Sequence, residues 1–495
     1  MARTKKPQRP KARRPRGFED LSGERLRAEA KLVQSAFAVY ESFGFEPLQT
    51  PAFEFADALG KFLPDEDRPN TGVFALRDDD EQWLSLRYDL TAPLARYVAE
   101  NYDTLAKPYR RYQSGTVWRN EKPGPGRFRE FVQCDADTVG AGTAASDAEM
   151  ITVAAEVARA AELADGEFQV RVNNRKLLDG LLESAGVSDD AEKRLRTLRA
   201  IDKLDRLGRS GVEALLGEGR EDESGDYTEG AKLAPAAIGS VLDFTELTGG
   251  DRVSTTATLE RLVGRTQRGA EGVRELRAIH DLLDATGYDN STVAFDTSVV
   301  RGLGYYTGPV FEVELLADIR DAKGRPVRVG SIGGGGRYDD LVSRFRGQAV
   351  PATGFSFGVS RFLSALERMS KLRAEVAPPV LICVFDRSLM ADYFRMAAGL
   401  RGAGIRAEVF TGAGNVTKQL KYADRRGIHI ALLMGEDEVA AGEVTVKDLE
   451  AGAQAAKAIE TNEEWKEARP AQAQVRRGEL VAHLKTLLGE KAKSE

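Results

Sequence analysis

Four short clusters carry most of the residues that could do chemistry. The first is Leu86-Arg87-Tyr88-Asp89-Leu90-Thr91. The second is Trp118-Arg119-Asn120-Glu121, followed by Arg127-Phe128-Arg129-Glu130-Phe131-Val132-Gln133 and then Asp135 and Asp137. The third is Arg301-Gly302-Leu303-Gly304-Tyr305-Tyr306-Thr307-Gly308, with Gly333 to Gly336, Arg337 and Tyr338 downstream. The fourth is Gly354-Phe355-Ser356-Phe357-Gly358-Val359-Ser360-Arg361. Arginine offers a planar fork of donors that matches phosphate oxygens. Aromatic and guanidinium faces stack on a base, and Asp89 or Asp137 can pair with an ammonium or an imidazole N–H. Glycines at 333–336, 354 and 358 let a backbone approach a ligand closely, or let a strand bend. The combination describes a site for a polyphosphate and a small polar cation. No Gly-x-x-x-x-Gly-Lys-Ser/Thr occurs, so a P-loop is excluded. Read singly, each arginine is equally a surface ion pair and each glycine a turn. Their succession from Leu86 to Arg361 argues for one site. The three histidines, His280, His429 and His483, lie outside all four clusters, so histidine-driven acid–base chemistry is not expected.

The elements that must position these clusters are partly visible. Residues 22–43 have Leu26, Ala30, Val33, Phe37 and Tyr40 at helical spacing, with Gly44 as a stop. Phe45 to Glu54 reads as extended, and Pro47 and Pro51 there suit an edge or an interface. Between Leu84 and Val139, two strands joined by a long loop around Lys122-Pro123-Gly124-Pro125-Gly126 are the simplest account. Ser146 with Glu149 forms a capping box opening a helix to about residue 163. Residues 187–285 read as helical and charged, with Glu218 to Asp226 an exposed loop, and residues 292–361 return to glycine-rich strands. Past Ala377-Pro378-Pro379 the pattern alternates: strand Val380–Phe385, helix 387–402, strand Ile405–Phe410, helix 415–426, strand Ile428–Met434. That alternation predicts a separate parallel-sheet α/β domain.

Bulk properties bound the rest. A chain of 495 residues, 42% hydrophobic and 30% charged, has the composition of a soluble globular protein of about three folding units. No apolar run is long enough to span a membrane and no apolar signal core opens the chain, so a cytoplasmic protein is expected. Two cysteines, Cys134 and Cys383, build neither a disulfide framework nor a cysteine-based zinc site. The net charge of −6 hides a basic stretch: residues 1–16 carry eight Lys and Arg and no acid, which reads as a disordered arm.

Taken in order, the four clusters resemble the class II aminoacyl-tRNA synthetase motifs in the form found in histidyl-tRNA synthetases. The Arg-Gly-Leu-x-Tyr-Tyr-Thr-Gly signature at Arg301 is the most specific, and the match extends from Pro15-Arg16-Gly17-Phe18 to the C-terminal domain. The resemblance implies an α/β protein whose catalytic core is an α+β, antiparallel-sheet class II fold. It also implies a helical insertion and a C-terminal α/β, parallel-sheet anticodon-binding domain. In domains, this sets a basic arm at 1–16, the first part of the core at 17–186, the insertion at 187–285 and the second part of the core at 286–370. A linker at 371–379 and the anticodon-binding domain at 380–490 follow. For the site, it implies Arg119 on the α-phosphate, Glu121 on the adenine amino group and Arg127 on the γ-phosphate, with Phe131 and Arg361 sandwiching the adenine. Asp89, Thr91 and Gln133 would meet the histidine α-amino group, Asp137 and Tyr306 the imidazole, with Tyr305 lining the pocket. Arg301 would be a second cation at the α-phosphate. ATP and Mg2+, histidine, tRNA(His) and a second copy of the chain are the implied partners, and no membrane. A paralogous regulatory subunit of ATP phosphoribosyltransferase, a binding module on the same core, is the alternative. It typically lacks the last domain and the catalytic arginines, both of which are present here. Gly304 stands where the family signature usually has an acid.

Overall fold

The computed structural model describes residues 10–59, 72–124, 127–187, 190–201, 203–221, 226–247, 250–300, 306–317, 319–320, 324–325, 329–369, 371–372, 377–456 and 471–494. The chain divides into two compact units, Met1–Ala374 and Glu375–Glu495.

The first unit opens with α1 (Gly23–Ser42), β1 (Glu46–Pro47), β2 (Phe53–Phe55), α2 (Ala56–Leu59), β3 (Ala75–Arg77), β4 (Trp83–Leu86) and α3 (Thr91–Asn101). Next come β5 (Tyr109–Trp118), β6 (Glu130–Val139), α4 (Ala144–Ala160), β7 (Phe168–Asn174), α5 (Arg175–Ser184), α6 (Ala191–Ile201) and α7 (Leu204–Leu216). A hairpin of β8 (Gly219–Glu221) and β9 (Tyr227–Glu229) leads to α8 (Pro235–Thr245), α9 (Arg252–Val263) and α10 (Gln267–Ala285). The unit closes with β10 (Val293–Phe295), β11 (Pro309–Leu315), β12 (Ser331–Arg337), α11 (Ser343–Arg346), β13 (Ala352–Phe357) and α12 (Val359–Arg368).

Eight strands form one sheet in the order β1-β5-β6-β13-β12-β11-β7-β10. The six central strands pair antiparallel throughout, and only the edge pairs β1/β5 and β7/β10 are parallel. Alternation along β6 divides its two faces. Cys134 and Ala136 sit opposite Phe357 and Phe355 of β13, and all four join the main core with Tyr40 of α1 and Ile151 of α4. Gln133, Asp135 and Asp137 belong to the other face. Glycine is required at the centre of β12: a Cβ on Gly335 would stand 2.0 Å from Gly354 O and 2.6 Å from the Phe311 ring.

Several local readings change. The buried stripe of α1 is Ala28, Leu32, Ala36 and Tyr40, four residues apart, while Leu26 is 50% exposed. The helix packs on α4, α12 and the sheet of its own chain, so its rotation follows those surfaces. The α4 cap is Thr143, whose side chain accepts from Ser146 N, and Glu149 instead pairs with Arg110 of β5 at 2.8 Å. A helix, α3, stands between the first two clusters where only strands were expected. Part of the Glu218–Asp226 segment is the β8 strand rather than loop.

In the second unit, β14 (Val380–Ile382) lies between β15 (Ala407–Val409) and β16 (Ile430–Leu433), parallel to both. This is the expected α/β arrangement, with α13 (Met390–Gly402) and α14 (Val416–Arg425) as the crossovers. Two further strands, β17 (Glu443–Asp448) and β18 (Gln472–Arg476), extend it antiparallel. Short helices α15 (Glu436–Ala441) and α16 (Leu449–Ala456) and the terminal α17 (Leu480–Ser494) complete it.

Candidate active site

The central strands of the main sheet border a cavity of about 380 Å3. Seven of the residues to which the resemblance gives roles share its wall: Arg119, Glu121, Arg127, Phe131, Gln133, Tyr306 and Arg361. They arrive from widely separated segments. Arg119 follows the last residue of β5, Phe131 and Gln133 lie on β6, Tyr306 precedes β11, and Arg361 is in the first turn of α12.

Two of the guanidiniums, those of Arg119 and Arg361, are aimed by backbone carbonyls. Arg119 Nε donates to Tyr88 O at 3.1 Å, and its guanidinium stands 5.1 Å from the centre of the Phe131 ring. Arg361 Nη1 donates to Ser331 O at 2.9 Å, which ties the start of α12 to the start of β12. Arg127 N and O both pair with Gly124, at 2.9 and 3.1 Å, across the tip of the β5–β6 connection. Ser360 Oγ accepts from Val132 N at 2.9 Å and thereby holds α12 against β6.

Beneath these groups lies a buried polar layer that the sequence reading did not resolve. Gln133 Nε2 donates to Ser356 Oγ at 2.7 Å, and Ser356 Oγ donates to Asp135 Oδ1 at 2.5 Å. Burial pushes the Asp135 carboxyl up to about 7, although Arg111 opposes the shift. Ser356, Glu312 and Ser331 also line the cavity. Ser356 and Asp135 were both inside quoted motifs, but only the β6–β13 register, which sets them directly opposite, reveals the pair.

Three expected site residues are not on the cavity wall. Asp137 is 2% exposed, its Oδ2 lies 2.7 Å from Arg111 Nη2, and its Oδ1 accepts from the Tyr338 hydroxyl. These contacts set the carboxylate in the polar layer beneath the wall, and the β5–β6 register stands Arg111 directly opposite it. Burial raises the Asp137 pKa, with Arg111 and the Tyr338 hydrogen bond pulling it down. For Arg111 burial works against its charge, but Asp137 and then Asp135 outweigh that and leave its pKa raised. Asp89 Oδ1 accepts from Ala92 N at 2.9 Å and so anchors the first turn of α3, where Thr91 is the first residue. Arg301 and Tyr305 lie outside the described residues.

A family model described as "Histidyl-tRNA synthetase" matches residues 17–362, and one described as "Anticodon binding domain" matches residues 379–468. The chain belongs to the histidyl-tRNA synthetase family. The histidine–tRNA ligase of Caulobacter vibrioides is 54% identical over 484 residues, covering 97% of each chain. That of Rhizobium meliloti is 55% identical over 494 residues, covering 99% of this chain and 98% of the relative. Among solved structures, histidyl-tRNA synthetase from Nostoc sp. PCC 7120 superposes with a TM-score of 0.72 at 27% identity, covering 97% of this chain and all of that one. A Bacillus halodurans protein described as an ATP phosphoribosyltransferase regulatory subunit/histidyl-tRNA synthetase shares the fold, with a TM-score of 0.65 at 22% identity over 84% of this chain. For a histidyl-tRNA synthetase family member, the convergence of the motif arginines on one cavity is the feature that bears on activity.

Proposed function

We propose that this protein activates L-histidine with ATP and transfers the histidyl group to the 3′ end of tRNA(His). The observation that carries this is the gathering of Arg119, Arg127 and Arg361 with Gln133 and Tyr306 on one cavity wall. In the proposed reaction a histidine carboxylate oxygen attacks the α-phosphorus. A new O–P bond forms as the bond to the bridging oxygen breaks, and pyrophosphate leaves. A tRNA hydroxyl then attacks the adenylate carbonyl and AMP departs. Positioning and electrostatic stabilisation supply most of the catalysis in such transfers. Arg119 would meet the α-phosphate, Arg127 the γ-phosphate and Glu121 the adenine amino group, with the base between Phe131 and Arg361. Gln133, Asp89 and Thr91 would serve the α-amino group and Tyr306 the imidazole, with Arg301 and Tyr305 completing the set. Asp137, held by Arg111 and Tyr338, would meet the imidazole together with Tyr306. Magnesium enters as MgATP: Mg2+ typically keeps to one or two carboxylates plus substrate phosphates, and Glu121 and Glu312 are the carboxylates on the wall. Residues 187–285 are assigned as the helical insertion and 380–490 as the anticodon-binding domain. No helix among the described residues is long and apolar enough to cross a membrane, and both cysteines are free and buried, which suits a cytoplasmic enzyme.

Pyrophosphate exchange into ATP, run with each of the twenty amino acids, is the test. Histidine alone should support exchange, and tRNA(His) should then be charged. Exchange with a different amino acid, or none from folded protein, overturns the reading. The second result would favour the regulatory-subunit alternative.

We also propose a homodimer. The buried stripe of α1 packs within its own chain, and the contact is assigned to the β2-β4-β3 sheet. There Phe53, Phe55 and Leu76 are 44%, 53% and 46% exposed, and Phe345 beside them is 39% exposed. Such a run of exposed large apolar residues marks an interface, and a self-complementary patch closes a two-fold pair. Sedimentation should give twice the 54.0 kDa chain mass at micromolar concentration, and Phe53→Asp with Phe55→Asp should give monomer. A wild-type monomer contradicts the assignment.

A further inference from the structure

The polar layer under the cavity contains a proton count that fixes the direction of one side chain. A serine hydroxyl has one proton to give and accepts through its lone pairs. With its carboxyl ionised, Asp135, which stands opposite on β6 and is 2% exposed, takes that proton from Ser356. Toward Gln133 the serine therefore offers only a lone pair, and the carboxamide must turn its NH2 group, not its oxygen, to Ser356. The other end of the amide, Oε1, is then a buried acceptor with no hydrogen-bond partner among the described residues. An orphaned buried acceptor on a cavity wall costs stability unless a ligand supplies the donor.

We propose that Asp135, acting through Ser356, holds the Gln133 carboxamide with its oxygen toward the cavity, and that this polarity selects the ammonium group of the amino-acid substrate. The proposal rests on the reading that Gln133 meets the α-amino group of histidine. Asp135 and Ser356 are positioning residues, because neither needs to touch the substrate. An ammonium arriving at Oε1 favours the ionised form of Asp135 and so reinforces the arrangement. With Asp135 replaced by a residue that does not demand the serine proton, Ser356 can donate to Gln133 Oε1. The amide then presents its own NH2 donors to a cation.

The test measures pyrophosphate exchange and competitive inhibition. Asp135→Asn should raise KM for histidine by about tenfold or more, the scale of one hydrogen bond to a charged group. KM for ATP should stay within about twofold. Ser356→Ala, which leaves Asp135 in place, should also raise KM for histidine, and it carries the same test if Asp135→Asn fails to fold. Inhibition by histidinol, which keeps the ammonium, should weaken in both variants. Inhibition by imidazolepropionate, which lacks the ammonium, should not. In a Gln133→Ala background, Asp135→Asn should add nothing to KM for histidine. Equal weakening of both inhibitors, or an effect that persists without Gln133, overturns the relay and assigns Asp135 a structural or through-space role. Absence of histidine exchange in the wild type is a different failure, that of the underlying reading.

Discussion

Arg119→Ala should lower the rate of adenylate formation by about 100- to 1,000-fold, the scale for removing one preorganised transition-state donor, roughly 2.7–4 kcal/mol. The side chain is positioned before substrate arrives, by Tyr88 O at 3.1 Å and by the Phe131 face, so little reorganisation is needed at the moment of reaction. Charge develops on the α-phosphate oxygens and on departing pyrophosphate, and a low-dielectric cavity makes one guanidinium there worth far more than one in water. Arg119→Lys should recover only a small part, because an ammonium cannot reproduce the planar fork. Single-turnover formation of adenylate is the decisive measurement, since it separates chemistry from release. A melting temperature close to wild type should accompany the loss, because the guanidinium serves the cavity and, among the described residues, donates to one carbonyl. Single-turnover activation within tenfold of wild type would remove Arg119 from the catalytic set.

The second large effect is on stability. Arg111 is fully buried and Asp137 is 2% exposed, with 2.7 Å between them. Removing one partner of a buried ion pair leaves an uncompensated charge and costs about 3–5 kcal/mol, whereas replacing both with apolar residues is often neutral. Arg111→Met should therefore depress the melting temperature of the first unit sharply, and Arg111→Met with Asp137→Leu should restore much of it. Protonation of Asp137 limits the damage in the single variant, because burial already pushes that carboxyl upward and Arg111 is the main opposing influence. Stability of the single variant should accordingly fall further as pH rises, since the unpaired carboxyl must then ionise inside the protein. Calorimetry that resolves the two units is the appropriate measurement. A single variant as stable as wild type would mean that water reaches the pair.

The contrast between these two arginines shows what a sequence can and cannot disclose. Arg119, Arg127 and Arg361 were identifiable because they sit in motifs with characteristic neighbours, and all three line one cavity. Arg111 carries no such signature. Its importance comes from standing opposite Asp137 in a strand pair whose register no local pattern reports. The same limit applies to Asp137: nothing in its motif reports that Arg111 and Tyr338 stand against it. Helix α3 was missed in a stretch read as strands; its Pro93 lies in the first turn, where proline is tolerated. Leu26 misled the phase of α1, since the helix turns its small residues Ala28 and Ala36 inward to approach α4 closely. In the second unit the parallel strands were legible as apolar runs, whereas β18 has a single buried residue, Val475, and gives almost no hydrophobic signal.

The two-faced character of β6 also constrains how this gene can change. Substitutions along the strand alter one side chain at a time, but an insertion or deletion of one residue between Phe131 and Val139 inverts everything beyond it. Gln133, Asp135 and Asp137 would then turn into the apolar layer now held by Cys134 and Ala136 against Tyr40, and the catalytic face would receive that layer's residues. Length variation should therefore be absent from this strand across descendants of the chain and concentrate instead in the β5–β6 connection around Lys122 and Pro123. A library of single-codon insertions, selected for growth that depends on this enzyme, should show that division as an abrupt edge at Glu130.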